Sequence, residues 1–330
     1  MQRGVDAPFV ARSGDGKALP MKQIVILSGK GGTGKTTVAA AFAHLASEAS
    51  SIVLADADVD AANLELVLSP YIEERHEFIG GKLAVIDPDL CTACGICVEV
   101  CRFEAVVERR SRGVEVQRGS PLPPCTPAPP LKIDPIACEG CAVCFYQCPE
   151  GAIRMEDRVA GEWFVSETRF GPLVHAHLFA AQENSGKLVT LVKQRARRIA
   201  LDGGCDYLIV DGPPGIGCPV IAACVGADLA LLITEPTVAG IHDLERVLAT
   251  TEHFGVPSLV CINKHDINPA QSRAIARYCA GRGVGVVGYI PFDTVVTEAM
   301  VRGLPVTEYD DGPVSRELRR VWEGVKERLG

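Results

Sequence analysis

Gly29-Lys30-Gly31-Gly32-Thr33-Gly34-Lys35-Thr36-Thr37 decides the fold of this 330-residue chain. Ile24-Val25-Ile26-Leu27 precedes it, a short run with the length and composition of a buried parallel strand, and the alanine-rich stretch from Val38 to Ala49 follows as a predicted helix. Strand, glycine loop and helix therefore stand in the order that a phosphate cradle requires. In such a cradle, glycines let backbone N–H groups curl around phosphate oxygens while the helix N-terminus adds its partial positive charge. Lys35 is then expected to reach the β- and γ-phosphates, and the Thr36 hydroxyl to ligate Mg²⁺. A glycine-rich turn alone matches by chance; the flanking elements are what set this one apart.

Working outward, Ile52-Val53-Leu54-Ala55 is predicted as a second strand, ending in Asp56-Ala57-Asp58-Val59-Asp60. Carboxylates at a strand's C-terminal end face the ligand crevice of an open α/β sheet. Tyr207-Leu208-Ile209-Val210 likewise runs into Asp211-Gly212-Pro213-Pro214-Gly215, an acid followed by a loop whose backbone can shift when a γ-phosphate arrives. Two more strand-helix units follow, Leu229 to Ile233 before Gly240 to His253 and Leu259 to Ile262 before Pro269 to Ala280. The expected fold is a doubly wound, mostly parallel α/β sheet.

Lys30 is not needed by an ordinary cradle of this kind. With it, the stretch resembles the deviant Walker A of the P-loop ATPase family that includes MinD, ParA, Mrp and the nitrogenase iron protein. The resemblance implies that Lys30 crosses a dimer interface to the partner's nucleotide, and that Asp56 to Leu64 is switch I. Asp58 would orient the attacking water, Asp56 would lie near the metal's water shell, and Asp60 has no assigned role. Asp211 would be the Walker B carboxylate, with Gly215 in switch II. Asn263 and Pro291 would flank adenine. The residues alone leave the base open, because Asn263-Lys264-His265-Asp266 also has the arrangement by which many GTPases select guanine; ATP is what the resemblance implies.

From Leu83 to Glu156 the chain changes character. Cys91, Cys94, Cys97 and Cys101, then Cys138, Cys141, Cys144 and Cys148, repeat the C-x2-C-x2-C-x3-C spacing of bacterial ferredoxins. In that arrangement three thiolates hold one 4Fe-4S cluster and the fourth reaches to the other, which assigns Cys91, Cys94, Cys97 and Cys148 to one cluster and Cys138, Cys141, Cys144 and Cys101 to the second. Ile86-Asp87-Pro88 and Ile133-Asp134-Pro135 precede the runs at equal offset, so the segment is an internal repeat. Zinc also uses paired C-x2-C units but leaves the last cysteine of each run unexplained. Arg102 stands where the first run would normally have proline.

The expected organisation is a tail at 1–20, with Met21 as an alternative start, an ATPase built from 21–82 and 157–330, and an inserted two-cluster ferredoxin at 83–156. Apart from the tail, the chain resembles MinD-superfamily ATPases carrying such an insert. Three functions follow: an ATP-gated electron-transfer protein that pairs with itself or a related ATPase and serves a redox partner, an iron-sulfur cluster carrier, or a MinD-like positioning switch whose clusters sense redox state.

A net charge of −8, from 33 basic and 41 acidic residues, disfavours a nucleic-acid surface. Fourteen cysteines in a long chain with a polar start fit a reduced cytoplasmic protein better than a disulfide scaffold. No apolar run approaches the ~20 residues of a membrane span. His175 and His177 are expected on opposite faces of a strand and so as a poor metal pair. Gly186 to Ala200, with Lys193, is expected as a solvated amphipathic helix. Cys218 sits where the iron protein has a cluster ligand but is expected to be buried, and Cys125 in a proline-rich loop is expected to be an ordinary thiol. The stripe Leu318, Val321, Trp322, Val325, Leu329 is expected to pack on the sheet rather than bind a membrane.

Overall fold

The computed structural model describes residues 21–108, 131–180 and 184–330; the tail at 1–20 and the loop holding Cys125 lie outside the described residues. In chain order the elements are β1 (Lys22–Ser28), α1 (Lys35–Ser47), β2 (Ile52–Asp56), α2 (Leu64–Leu68), β3 (Tyr71–Ile86), α3 (Ile96–Val100), β4 (Val106–Glu108) and β5 (Leu131–Ile133). Then come α4 (Val143–Gln147), β6 (Ile153–Thr168), β7 (Gly171–Leu178), α5 (Ser185–Asp202), β8 (Tyr207–Pro214), α6 (Cys218–Cys224), β9 (Leu229–Thr234) and α7 (Val238–His253). The chain closes with β10 (Ser258–Asn263), α8 (Pro269–Gly281), β11 (Gly285–Ile290), α9 (Val295–Val301), α10 (Val306–Tyr309) and α11 (Pro313–Leu329).

Nine strands form one sheet in the order β11-β10-β9-β1-β8-β2-β7-β6-β3, and the run from β11 to β7 is parallel throughout. Ile24, Val25, Ile26 and Leu27 are all fully buried, as continuous apolar strands covered on both faces must be. Ile24 and Ile26 join Phe42 of α1 and Leu318, Val321 and Trp322 of α11 in one core. Helices α5, α6 and α7 pack on the same sheet through other residues, among them Leu188, Val220 and Leu244. The α11 stripe is thus core, and Trp322 meets Phe42 and Tyr207 at ring-centroid distances of 4.9 and 5.3 Å. No helix among the described residues is long and apolar enough to cross a membrane.

The chain forms two compact units. One runs to His76 and resumes over Glu162–Leu178 and Asn184–Gly330; the other comprises Glu77–Gly161 and a stretch from Phe179. The first holds the large core. The second holds a small one of Ala84, Cys97, Ala105, Val106, Cys138 and Ile153, flanked by Leu131, Ile133 and the antiparallel pair β4–β5.

Two expectations fail here. His175 and His177 share a face, because successive strand side chains alternate and residues two apart point the same way; both reach Glu65, at 3.0 and 3.2 Å. Burial, with His177 beside it, lowers the His175 pKa to about 4 and keeps that imidazole neutral. Lys193 is not solvated either. It is 8% exposed, and its Nζ donates to the carbonyls of Ala222 at 2.8 Å, Ala223 at 2.9 Å and Val225, satisfying groups that the last turn of α6 leaves unpaired. Burial lowers its pKa to about 8.

Candidate functional site

The glycine loop between β1 and α1 holds Gly32 and Gly34 at φ of +75° and +95°, the left-handed region that glycine enters without cost. Gly29 is required by space, since a Cβ there would lie 2.4 Å from Cβ of Asp243. Asn263, at the end of β10, donates from Nδ2 to the Thr33 carbonyl at 2.8 Å and accepts from Lys264 N at 2.9 Å, so it braces the cradle from below. Ser28 Oγ donates to the Lys30 carbonyl at 2.6 Å, and Gly215 N donates to the Ser28 carbonyl at 2.9 Å. The Gly215 loop is thereby tied to the phosphate loop. Lys35 opens α1 and is 5% exposed, and Thr36 and Thr37 follow it on the first turn. Gly31 has no neighbour that a Cβ would meet.

Parallel pairing sets Asp56 directly opposite Asp211 at the C-terminal ends of β2 and β8. The two acids are satisfied very differently. Asp56 accepts N–H groups of Asp58 at 3.1 Å, Asn63 at 3.1 Å and Leu64 at 3.0 Å, which caps the start of α2. Asp211 is buried with neither carboxylate oxygen in a well-formed hydrogen bond. Burial raises both, Asp56 with help from the Asp211 charge and Asp211 to about 7, where the adjacent Thr36 hydroxyl and Lys35 pull it back. Orphaned carboxylate oxygens beside a threonine hydroxyl are the oxygen-rich donor set that suits Mg²⁺. Asp58 is half-buried; burial raises its pKa and Lys35 lowers it.

Lys30 lies 38% exposed and ion-pairs with Glu235 at 2.9 Å, an acid that also holds Lys264 at 2.6 Å. Burial works against the Glu235 charge, but the two lysines keep its pKa below the ordinary value. Pro291 follows β11, where Phe292 N donates to Asp266 Oδ1 at 2.8 Å and His265 N donates to the Ile290 carbonyl at 3.0 Å, joining the loops after β10 and β11. Cys218 is exposed at the start of α6, contrary to expectation, although the first turn of α5 approaches it at Gly186.

In the second unit, Cys91, Cys94, Cys97 and Cys148 line one cavity, and Cys101, Cys138, Cys141 and Cys144 line another. The backbone repeats around them. Cys91 N and Cys138 N donate to the carbonyls of Asp87 and Asp134 at 3.1 Å, and Asp87 N and Asp134 N donate across to Ala152 and Ala105 at 2.7 Å. Ala105 N and Ala152 N each point at a sulfur, of Cys101 and Cys148, at 3.3 Å. Burial, then the neighbouring cysteines, raise the thiols of Cys97 and Cys144. Such crowded sulfurs become favourable thiolates only around a cation, so the set fits a metal cluster.

A family model described as the CobQ/CobB/MinD/ParA nucleotide binding domain matches residues 24–306. The chain belongs to this family. An uncharacterized protein of Methanocaldococcus jannaschii is 31% identical over 305 residues, 92% of this chain and 96% of that one. The iron-sulfur cluster carrier protein of Pyrococcus furiosus is 23% identical over 162 residues, 44% of this chain and 53% of that one. Among solved structures, the septum site-determining protein MinD of Pyrococcus horikoshii, complexed with Mg-ADP, superposes with a TM-score of 0.54 at 18% identity over 94% of this chain and 98% of that one. That likeness shows the α/β fold.

The residues matched by that family model take in the glycine loop, Lys35, Asp56 and Asp211. Sequence reasoning missed Glu235 there, although its place directly after β9, at the same sheet edge as Asp56 and Asp211, was the available signal.

Proposed function

We propose that the chain is a Mg²⁺-dependent ATPase whose nucleotide-driven pairing, with a second copy or a related ATPase, governs electron transfer through two [4Fe-4S] clusters to a redox partner in a reducing, cytoplasmic setting. The observation that carries this reading is the crossed grouping of eight cysteines around two cavities, three from one run and the last from the other. Two four-thiolate sites of this spacing are the ligand sets of a two-cluster ferredoxin, which makes 83–156 the ferredoxin part and 21–82 with 157–330 the ATPase. When bound, each cluster supplies a one-electron redox centre. The N–H groups of Ala105 and Ala152 stabilise charge on Cys101 and Cys148 and so bear on the potential.

In the nucleotide site, Gly29 to Gly34 present their N–H groups to phosphate, Lys35 neutralises the β- and γ-oxygens, and Thr36 and Asp211 hold Mg²⁺ with Asp56 behind them. Asp58 orients the attacking water. Lys30, parked on Glu235 in the single chain, leaves it for the partner's nucleotide. Asp266 is engaged by Phe292 N–H, which leaves less of it for a guanine edge and supports adenine, with Pro291 on the base wall and Asn263 supporting the cradle.

Anaerobic reconstitution with iron and sulfide, followed by iron analysis and electron paramagnetic resonance, tests the reading. About eight irons per chain are expected; about four, or zinc in their place, would overturn it. The partial similarity to iron-sulfur cluster carriers favours a second reading, cluster delivery, but four thiolates per cluster favour retention. Transfer of clusters to an apo-ferredoxin separates the two.

A further inference from the structure

His175, His177 and Glu65 converge outside the nucleotide site, in the first unit, where β7 passes α2. The ligand atoms His175 Nδ1, His177 Nε2 and a Glu65 carboxylate oxygen all lie within 4.8 Å of one another, with each histidine 3.0 to 3.2 Å from the carboxylate. Ligands around a tetrahedral zinc at about 2.0–2.1 Å stand about 3.3 Å apart, so small rotamer shifts close this set on one ion.

A buried, unsatisfied atom points into the same place. His175 is fully buried and its Nδ1, 3.0 Å from a Glu65 carboxylate oxygen, makes no hydrogen bond. The opposite ring nitrogen, Nε2, is 2.9 Å from Ser166 Oγ. In the tautomer where Nε2–H donates to Ser166, the Nδ1 lone pair faces a carboxylate with nothing between them. That is the arrangement of a ligating histidine fixed by a second hydrogen bond, and a cation between Nδ1 and Glu65 would satisfy both. Phe164 stacks on His175 at a centroid distance of 5.0 Å and shields that side. Glu65 and His177 are 24% and 40% exposed, which leaves the remaining coordination position to water.

We infer that Glu65, His175 and His177 form a binding site for a divalent transition metal of the zinc class, separate from the nucleotide's Mg²⁺ and from the cysteines. Two imidazoles and one carboxylate with an open position are a zinc-type donor set and a poor one for Mg²⁺ or Ca²⁺. Glu65 follows directly on Leu64, whose N–H is held by Asp56. The ion therefore pins to β7 the short helix that Asp56 caps.

Zinc itself is the probe, with Co²⁺ as its spectroscopic stand-in, on the full chain. Equilibrium dialysis should show one zinc per chain that Cys91→Ser and Cys138→Ser leave in place. His177→Ala and Glu65→Ala should each weaken that zinc by more than about 100-fold, and Ser166→Ala, which keeps all three ligands, by about 10-fold. His177 is exposed enough that its truncation spares the core, and unchanged circular dichroism checks this. The Co²⁺ spectrum of the wild type should contain a component without thiolate charge transfer that His177→Ala removes. Equal zinc number and affinity in wild type, His177→Ala and Glu65→Ala would overturn the inference, as would a Co²⁺ spectrum of thiolate bands alone.

Discussion

The two units answer the same problem, how to bury a chain, with opposite materials. The first encloses its sheet with Phe42, Ile24, Ile26, Leu54, Leu208 and Trp322, and its charged ligands sit at the edge of a core that is complete without them. The second has cysteines and alanines where the first has leucines and isoleucines, so that Cys97 and Cys138 are themselves core residues. Large aliphatic burial stabilises by roughly 1.5–3 kcal/mol per side chain, and the second unit has few such side chains to bury. With the proposed clusters in place, the second fold would depend on what its cysteines bind, whereas a fold whose centre is hydrocarbon does not.

The largest expected effect tests that contrast directly. Chelating the metal from reconstituted protein should speed amide exchange over 84–108 and 131–153 by about 10³-fold or more, while β1, β2 and β8 keep their protection, since structural metal binding of this kind is worth many kcal/mol. Equal protection of both units after chelation would break the comparison.

The next effect belongs to the first unit alone. Lys30→Ala should leave ATP affinity nearly unchanged and lower the turnover rate by about 10³ to 10⁵, as loss of a cation supplied in trans does. Lys35→Ala, by contrast, should abolish binding. Full hydrolysis by Lys30→Ala would confine Lys30 to its ion pair with Glu235.

A smaller effect asks whether the units act on each other. The chain crosses between them inside β3 and β6, whose ranges Tyr71–Ile86 and Ile153–Thr168 span the division. Coupling between two sites is reciprocal and typically about 1 to 3 kcal/mol, which moves a one-electron potential by roughly 40 to 130 mV. Redox titration with and without a non-hydrolysable ATP analogue measures it. Identical potentials in both states would leave a tethered ferredoxin with no nucleotide control.

What could be read from sequence divides along a related line. The glycine loop is local, and the cysteine runs, though far apart, carry a repeated spacing whose known ferredoxin pattern already crosses the last sulfur of each run to the other. The strand acids Asp56 and Asp211 were legible because parallel sheets gather strand ends at one edge. Glu235 on Lys30, Glu65 between two histidines and Lys193 on the α6 carbonyls were not, because each pairing joins segments distant in the chain and is set by register and helix packing. The histidine pair carried its own signal in the two-residue period of a strand. The composition shift at Leu83 and Glu156 marks chemistry, whereas β3 and β6 run through it without interruption.

The smallest effect concerns how the first unit handles a buried charge without a metal. Lys193 is a cation enclosed by backbone carbonyls, and burial lowers its pKa from 10.5 to about 8. Between those values the unfolded chain binds the proton that the folded chain has lost, so stability rises with pH from about 8 to 10.5; below pH 8 the buried charge is carried at a cost. The full shift corresponds to about 3 kcal/mol, and local relaxation with water penetration reduces the effect to about 1–2 kcal/mol. Lys193→Met should therefore lose this slope while also losing about 1–3 kcal/mol at pH 7 from the carbonyls of Ala222 and Ala223 left unpaired. Urea unfolding of both proteins from pH 7 to 10, taken as a difference, cancels the many cysteines that titrate in the same range. If the difference between wild type and variant stays constant across that range, Lys193 carries an ordinary surface pKa, and the first unit does not, after all, hold a destabilised charge inside an otherwise self-sufficient core.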